Sequence, residues 1–136
     1  MRLNYSEEEN YPGQFELWQA NCERSLKGRK GQTALRELET ALLALSSKRL
    51  IAQELQNAEG DVCAIGALAK YRGREEKDFI ADPEYEMQEV GVELGMPRLV
   101  AWKVVEVNDL EYAHLSPEAR YMRVTEWIQR QLAKGD

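Results

Sequence analysis

The stretch Asp61 to Gly73, DVCAIGALAKYRG, constrains this chain more than any other. Polar turn residues bracket it, with Glu59, Gly60 and Asp61 before and Arg72, Gly73 and Arg74 after. Between them Val62, Cys63, Ala64, Ile65, Ala67, Leu68 and Ala69 leave almost no polar face. A segment that short and that apolar must be covered, and the amphipathic stretches around it need a surface to pack on. β-Branched residues lead and helix formers follow. The reading is therefore a short buried strand over Val62–Ile65 that bends at Gly66 into a short buried helix. Glycine at such a corner either takes a dihedral closed to other residues or lets another backbone come close.

The flanks supply the cover. Phe15, Trp18, Cys22 and Leu26 recur at helical spacing, and that helix should stop at Lys27-Gly28. Leu35, Leu38, Leu42 and Leu45, widened by Ala34 and Ala41, form the clearest amphipathic helix. Thr33 is its expected cap and Ser46-Ser47 its end. Lys48–Leu55 reads as a strand, with helix as the alternative, and Asn57 to Asp61 then turns it into Val62–Ile65 as a β-hairpin. A charged connection covers Arg74–Asp82. Asp82 and Pro83 suit the start of a helix over Glu84–Leu94, with Met87, Val90 and Leu94 on one face. Pro97 opens Arg98–Asn108, whose apolar residues predict a buried helix, a strand being the alternative. Ser116, Pro117 and Glu118 start the last helix, which buries Tyr121, Val124, Ile128 and Leu132 with Trp127 alongside. The fold class is α+β and mostly α-helical: about five or six helices packed around one short β-hairpin.

A chain of 136 residues, 43% hydrophobic and 31% charged, suits a single domain over 1–136 with a real core and a solvated surface. Residues 1–12 are polar and expected to be flexible. Their acidic character is unlike a secretory leader, and no apolar run approaches a membrane span. Cys22 and Cys63 lie in apolar contexts and read as reduced, buried thiols, although spacing alone leaves a disulfide between them open. With one histidine and no paired ligand spacing, no metal site or other cofactor is indicated.

Charge is unevenly spread. Arg24 to Arg36 holds five basic residues and no acid, whereas Glu75 to Glu93 holds eight acids against Lys77 alone. A net charge of −6 disfavours non-specific nucleic-acid binding, which depends on neutralising phosphates. Arg24, Lys27, Arg29, Lys30 and Gln32 are the candidate anion-binding residues, on what reads as a glycine-bounded loop. That loop lacks the Walker pattern, and a solvated interhelical loop is the plain alternative. Glu75, Glu76, Asp78, Glu84, Glu86, Glu89 and Glu93 are the candidate partner-binding acidic face. Met87–Val104 has the small residue and glycine turn of a helix-turn-helix, but its second helix offers only Arg98 and Lys103 to phosphates. His114 reads as a surface residue and Asn108-Asp109 as a helix cap, so no catalytic set emerges.

Cys63-Ala64-Ile65-Gly66-Ala67-Leu68, the Leu94-Gly95-Met96 turn, Asn108-Asp109 and a closing helix near Trp127-Ile128 occur in an order that resembles a family. That family comprises small uncharacterised proteins of bacteriophages, prophages and bacteria. The resemblance spans roughly residues 14–132, the Arg24–Gln32 loop included. It implies a shared fold and a mobile-element setting, and no activity. The functional expectation is a non-enzymatic phage-type accessory protein in the host cytoplasm. It would bind and inhibit a host or antiviral-defence component. The alternatives are a nucleotide or phosphate binder using the basic loop, with a homo-oligomer able to bring two loops together, and a helix-turn-helix-like DNA regulator.

Overall fold

The computed structural model describes residues 13–75, 78–79, 86–111 and 114–135. Among them lie six α-helices: α1 (Gln14–Lys27), α2 (Arg29–Leu43), α3 (Ala64–Tyr71), α4 (Met87–Glu93), α5 (Arg98–Val105) and α6 (Pro117–Gly135). A π-helical turn, Glu106–Glu111, runs on from α5. The expected flexibility at 1–12 and the residues Asp82 and Pro83 lie outside the described residues, but the helix expected over Glu84–Leu94 begins only at Met87, after an extended Glu86.

Trp18, Cys22 and Leu26 turn α1 inward as their spacing predicts, while Phe15 stays 52% exposed and stacks on Trp18. Gly28 alone then joins α1 to α2. The expected basic loop is thus a helical turn: Gly28 is the N-cap, Arg29 to Gln32 are α2's first residues, and the Gln32 N–H donates to Gly28 O at 2.9 Å. Thr33 lies inside the helix and caps nothing. The two helices meet so closely that a Cβ on Gly31 would stand 1.9 Å from Ser25 O, which only glycine avoids. From there α2 buries Ala34, Leu35, Leu38, Ala41 and Leu42, with Leu45 just beyond its end. Lys48 Nζ donates to the carbonyls of Leu43 and Leu45, both at 2.7 Å, and so satisfies groups that the helix terminus leaves open.

The expected β-hairpin is absent. Lys48–Leu55 forms neither strand nor helix, and the described residues contain no strand, only one isolated antiparallel bridge between Gln56 and Val62. The reason lies in where the backbone bonds go. Leu50 N–H donates to Pro117 O, Ile51 N–H to Val62 O, and Gln53 N–H to the Asp109 carboxylate (3.0, 3.0 and 3.1 Å). Gln53 takes a left-handed φ of 67°, which no regular strand accepts. Leu50 and Leu55 are nonetheless sealed in the core, so the segment is an irregular strap held by its apolar side chains.

The bend at Gly66 is also absent. Helix α3 starts at Ala64, Cys63 is its N-cap, and Gly66 lies in the first turn with its N–H donating to Cys63 Sγ at 3.4 Å. The other role read for Gly66 is present: a Cβ there would meet Leu55 O at 2.3 Å, so the strap's backbone passes where a side chain would be. All residues from Ala64 to Ala69 are buried, and α3 touches α2, α4 and α5. The apolar stretch is central as predicted, but the strand expected over Val62–Ile65 is reduced to one bridge at Val62, and from Ala64 the chain is helix.

Beyond Gly95, whose φ of 96° makes the turn, α5 confirms helix over strand at Arg98. Gly91 on α4 faces Ala101, where an added Cβ would come within 2.9 Å of the alanine's own. Helix α6 starts as read, with Ser116 Oγ accepting from the Ala119 N–H at 3.2 Å, and it buries Tyr121, Val124, Trp127 and Ile128. No helix among the described residues is long and apolar enough to cross a membrane.

Candidate functional site

Two places merit consideration: the polar cluster beneath the strap and the charged corner where α1 meets α2. The cluster gathers residues from three elements. Asn108 Oδ1 accepts from the Ala64 N–H at 3.2 Å, and its Nδ2 donates to Ile51 O at 3.0 Å and Asp109 Oδ1 at 2.7 Å. Asn108-Asp109 therefore does not cap its own helix. It lies in the π-helical turn and secures the first turn of α3 and the strap, 2% and 9% exposed. Arg120, 4% exposed on α6, donates from Nε to Asn108 O and from Nη1 to Leu50 O (3.0 and 3.2 Å).

Cys63 ends this cluster, and its chemistry is quiet. Burial pushes its thiol up to about 12, the Gly66 N–H opposing and the Asp109 charge adding to the rise. A thiol that keeps its proton is no nucleophile. Cys22 is likewise a buried free thiol shifted upward by burial. Among the described residues no three His, Cys, Asp or Glu side chains gather as metal ligands. His114 is exposed. The cluster's groups face one another and the backbone, an arrangement that fixes local conformation.

The basic corner is the more exposed arrangement. Arg24 and Lys27 stand on the last turns of α1, and Arg29 and Lys30 on the first turn of α2, which carries no acidic residue. All four side chains are exposed, and Arg24 bonds Asn21. Among the described residues no carboxylate pairs with Lys27, Arg29 or Lys30. Gln32 leaves the set: it is 4% exposed, and its amide nitrogen donates to Leu26 O at 2.7 Å and Gln131 O at 3.3 Å, tying α2 to α1 and α6. Beside the corner lies a groove of about 250 Å³ between α2, α3 and the turn into α5. Arg29, Lys30 and Thr33 rim it, and Leu94 and Met96 are on its floor. Its one carboxylate is occupied, since Arg72 grips both oxygens of Glu37 (2.7 and 2.6 Å) and holds that carboxyl below its usual range.

The acidic face is weaker than its sequence count. Glu86, Glu89 and Glu93 share one side of α4, but Glu89 pairs with Arg98, and Glu93 stands 4.0 Å from Arg74. Asp78 accepts from the Glu75 backbone N–H at 2.7 Å, and Gln88 donates to Glu86. Glu76 and Glu84 lie outside the described residues. Helices α4 and α5 follow one another across a short turn at Gly95, but the two cations of the second helix have partners: Arg98 binds Glu89, and Lys103 binds Glu106 at 3.0 Å. Trp102 of α5 also packs edge-on against Trp18 of α1, so that helix is partly covered.

Sequence reasoning missed Arg120 and misplaced Gln32, although both carried a signal. Arg120 precedes Val124 and Ile128 at four-residue steps, and Gln32 precedes Leu35 by three. Each therefore lies on its helix's inward face. No family model matches the chain, and no curated protein or solved structure matches it.

Proposed function

We propose that this chain is a non-enzymatic binding protein of the phage accessory type, which acts by docking on an acidic surface of a host or defence component. One observation carries the reading: Lys27, Arg29 and Lys30 are exposed at one corner and, among the described residues, none of them forms an ion pair with a carboxylate. Several other cations do have a carboxylate partner, Arg72 with Glu37, Arg98 with Glu89 and Lys103 with Glu106. Unpaired charges at a surface suit a partner that supplies the opposite sign and speed encounter with it. The net charge of −6 opposes an acidic partner only at long range, because physiological salt screens beyond about 8 Å and leaves the local corner to act. The resemblance in sequence order supplies the mobile-element setting and hence the host cytoplasm as the place of action.

The test is affinity capture from lysate of the host cell, comparing the wild type with Lys27→Glu/Arg29→Glu/Lys30→Glu and with Glu86→Lys/Glu89→Lys. The reading expects one protein to be held by the wild type and the α4 variant and lost by the corner variant. Capture that tracks the α4 variant instead moves the contact to the acidic face. Capture of nothing specific removes the reading.

A further inference from the structure

Arg29 and Lys30 do not stand beside one depression but between two. On one side is the groove of about 250 Å³ floored by Leu94 and Met96. On the other is a shallow, widely open and mostly apolar depression, bordered by Gly28, Gly31, Pro97 and the stems of the same two cations. Both hollows border the turn Gly95–Pro97, so the sequence of surfaces along the molecule is apolar, doubly cationic, apolar. A compact anion would use the middle alone. A flat acidic protein surface would leave both hollows empty.

We infer that the corner binds an extended peptide segment in which adjacent carboxylates are flanked on both sides by apolar side chains. The carboxylates meet Arg29 and Lys30, and the apolar side chains enter the two hollows. Charge complementarity selects the occupant. The lining adds Arg29, Lys30 and Arg72 against the single carboxylate of Glu37, which Arg72 already neutralises, so a carboxylate entering between the hollows meets no fixed acid of its own sign. Gly28 and Gly31 border the second hollow where α1 and α2 pack backbone against backbone, a Cβ on Gly31 being shut out by Ser25 O. The inference rests on the proposed binding role and names the kind of segment the partner presents.

The test pans the full-length chain against a random peptide display library and measures one enriched peptide by fluorescence anisotropy. Enriched sequences should carry neighbouring Asp or Glu residues with an apolar residue on each side. The affinity should fall about tenfold or more in Arg29→Gln/Lys30→Gln and in Met96→Asp, and should weaken with added salt. Circular dichroism confirms that each variant is folded, and the two glutamine substitutions, on exposed positions, keep the test open should Met96→Asp unfold. Three results overturn the inference: enriched peptides without acids, affinity indifferent to the glutamine pair, or no enrichment at all. It also falls if AMP stabilises the chain through Arg29 and Lys30, or if the chain self-associates through them, since the hollows then have another occupant. Loss of the peptide result with charge-dependent capture of a host protein intact removes this inference alone; loss of both removes the binding role as well.

Discussion

Gly66 and Cys63 show how much one atom decides in this chain. A methyl group at Gly66 would lie 2.3 Å from Leu55 O, with Val62 Cβ 3.0 Å away, and neither neighbour is the free end of a flexible side chain. Gly66→Ala must push strap and helix apart, and chemical denaturation should show a loss of about 1–3 kcal/mol or more. Asn108→Ala strips a partner from the Ala64 N–H and the Ile51 carbonyl and should cost about 2–4 kcal/mol for the unmet groups. Cys63 makes alkaline pH a probe. Its thiol titrates near 9.0 in the unfolded chain and at about 12 when folded, so the folded state keeps a proton that the unfolded state releases. Stability is then whole below pH 9 and falls as pH climbs toward 12, by about 1.4 kcal/mol per unit. Burial raises Cys22 and Tyr121 in the same direction. Denaturation from pH 8.5 to 10.5 should show the decline, and Cys63→Ser, which retains an acceptor for the Gly66 N–H, should flatten part of it.

Among the elements, the strap between α2 and α3 is where sequence reading and structure part. The helices were legible because their apolar residues recur at three and four, with glycine, proline or serine at the ends, as in α1, α2 and α6. The hairpin was not, because KRLIAQEL has no decisive local pattern and only part of its backbone pairs with Val62 and Cys63, the rest bonding far away in sequence at Asp109 and Pro117. No local pattern shows that a side chain on a later turn will take a bond that a neighbouring strand would have taken. The π-helical turn compounds this: its extra residue carries Asn108 and Asp109 inward, where an uninterrupted α-helix would have presented them differently. Arg120 is the hinge of the arrangement. Arg120→Met retains the apolar stem and removes the donors to Leu50 O and Asn108 O. Hydrogen exchange at Leu50, Ile51 and Gln53 should quicken about tenfold or more while the amides within α2 keep their protection. Equal acceleration everywhere would mean that the strap has no stability of its own and opens only with the whole domain.

For the molecule as a whole, the candidate site was half legible. Four of the five basic-loop residues, Arg24, Lys27, Arg29 and Lys30, do share one exposed corner, and the charge asymmetry that marked them was plain in the sequence. Gln32 is not among them because its helix is capped at Gly28 rather than Thr33, five residues earlier than expected, which turns it into the core. The acidic stretch looked like the stronger surface only because Arg74 and Arg98, the cations that pair with it, lie outside α4. The account's central claim is that partners meet this chain at the α1–α2 corner. Lysine footprinting by brief acetylation, with and without the captured partner, tests it most directly. Lys27 and Lys30 should be protected in the complex while Lys70 reacts as it does in the free chain. Unchanged labelling of Lys27 and Lys30 in a saturated complex would contradict the claim.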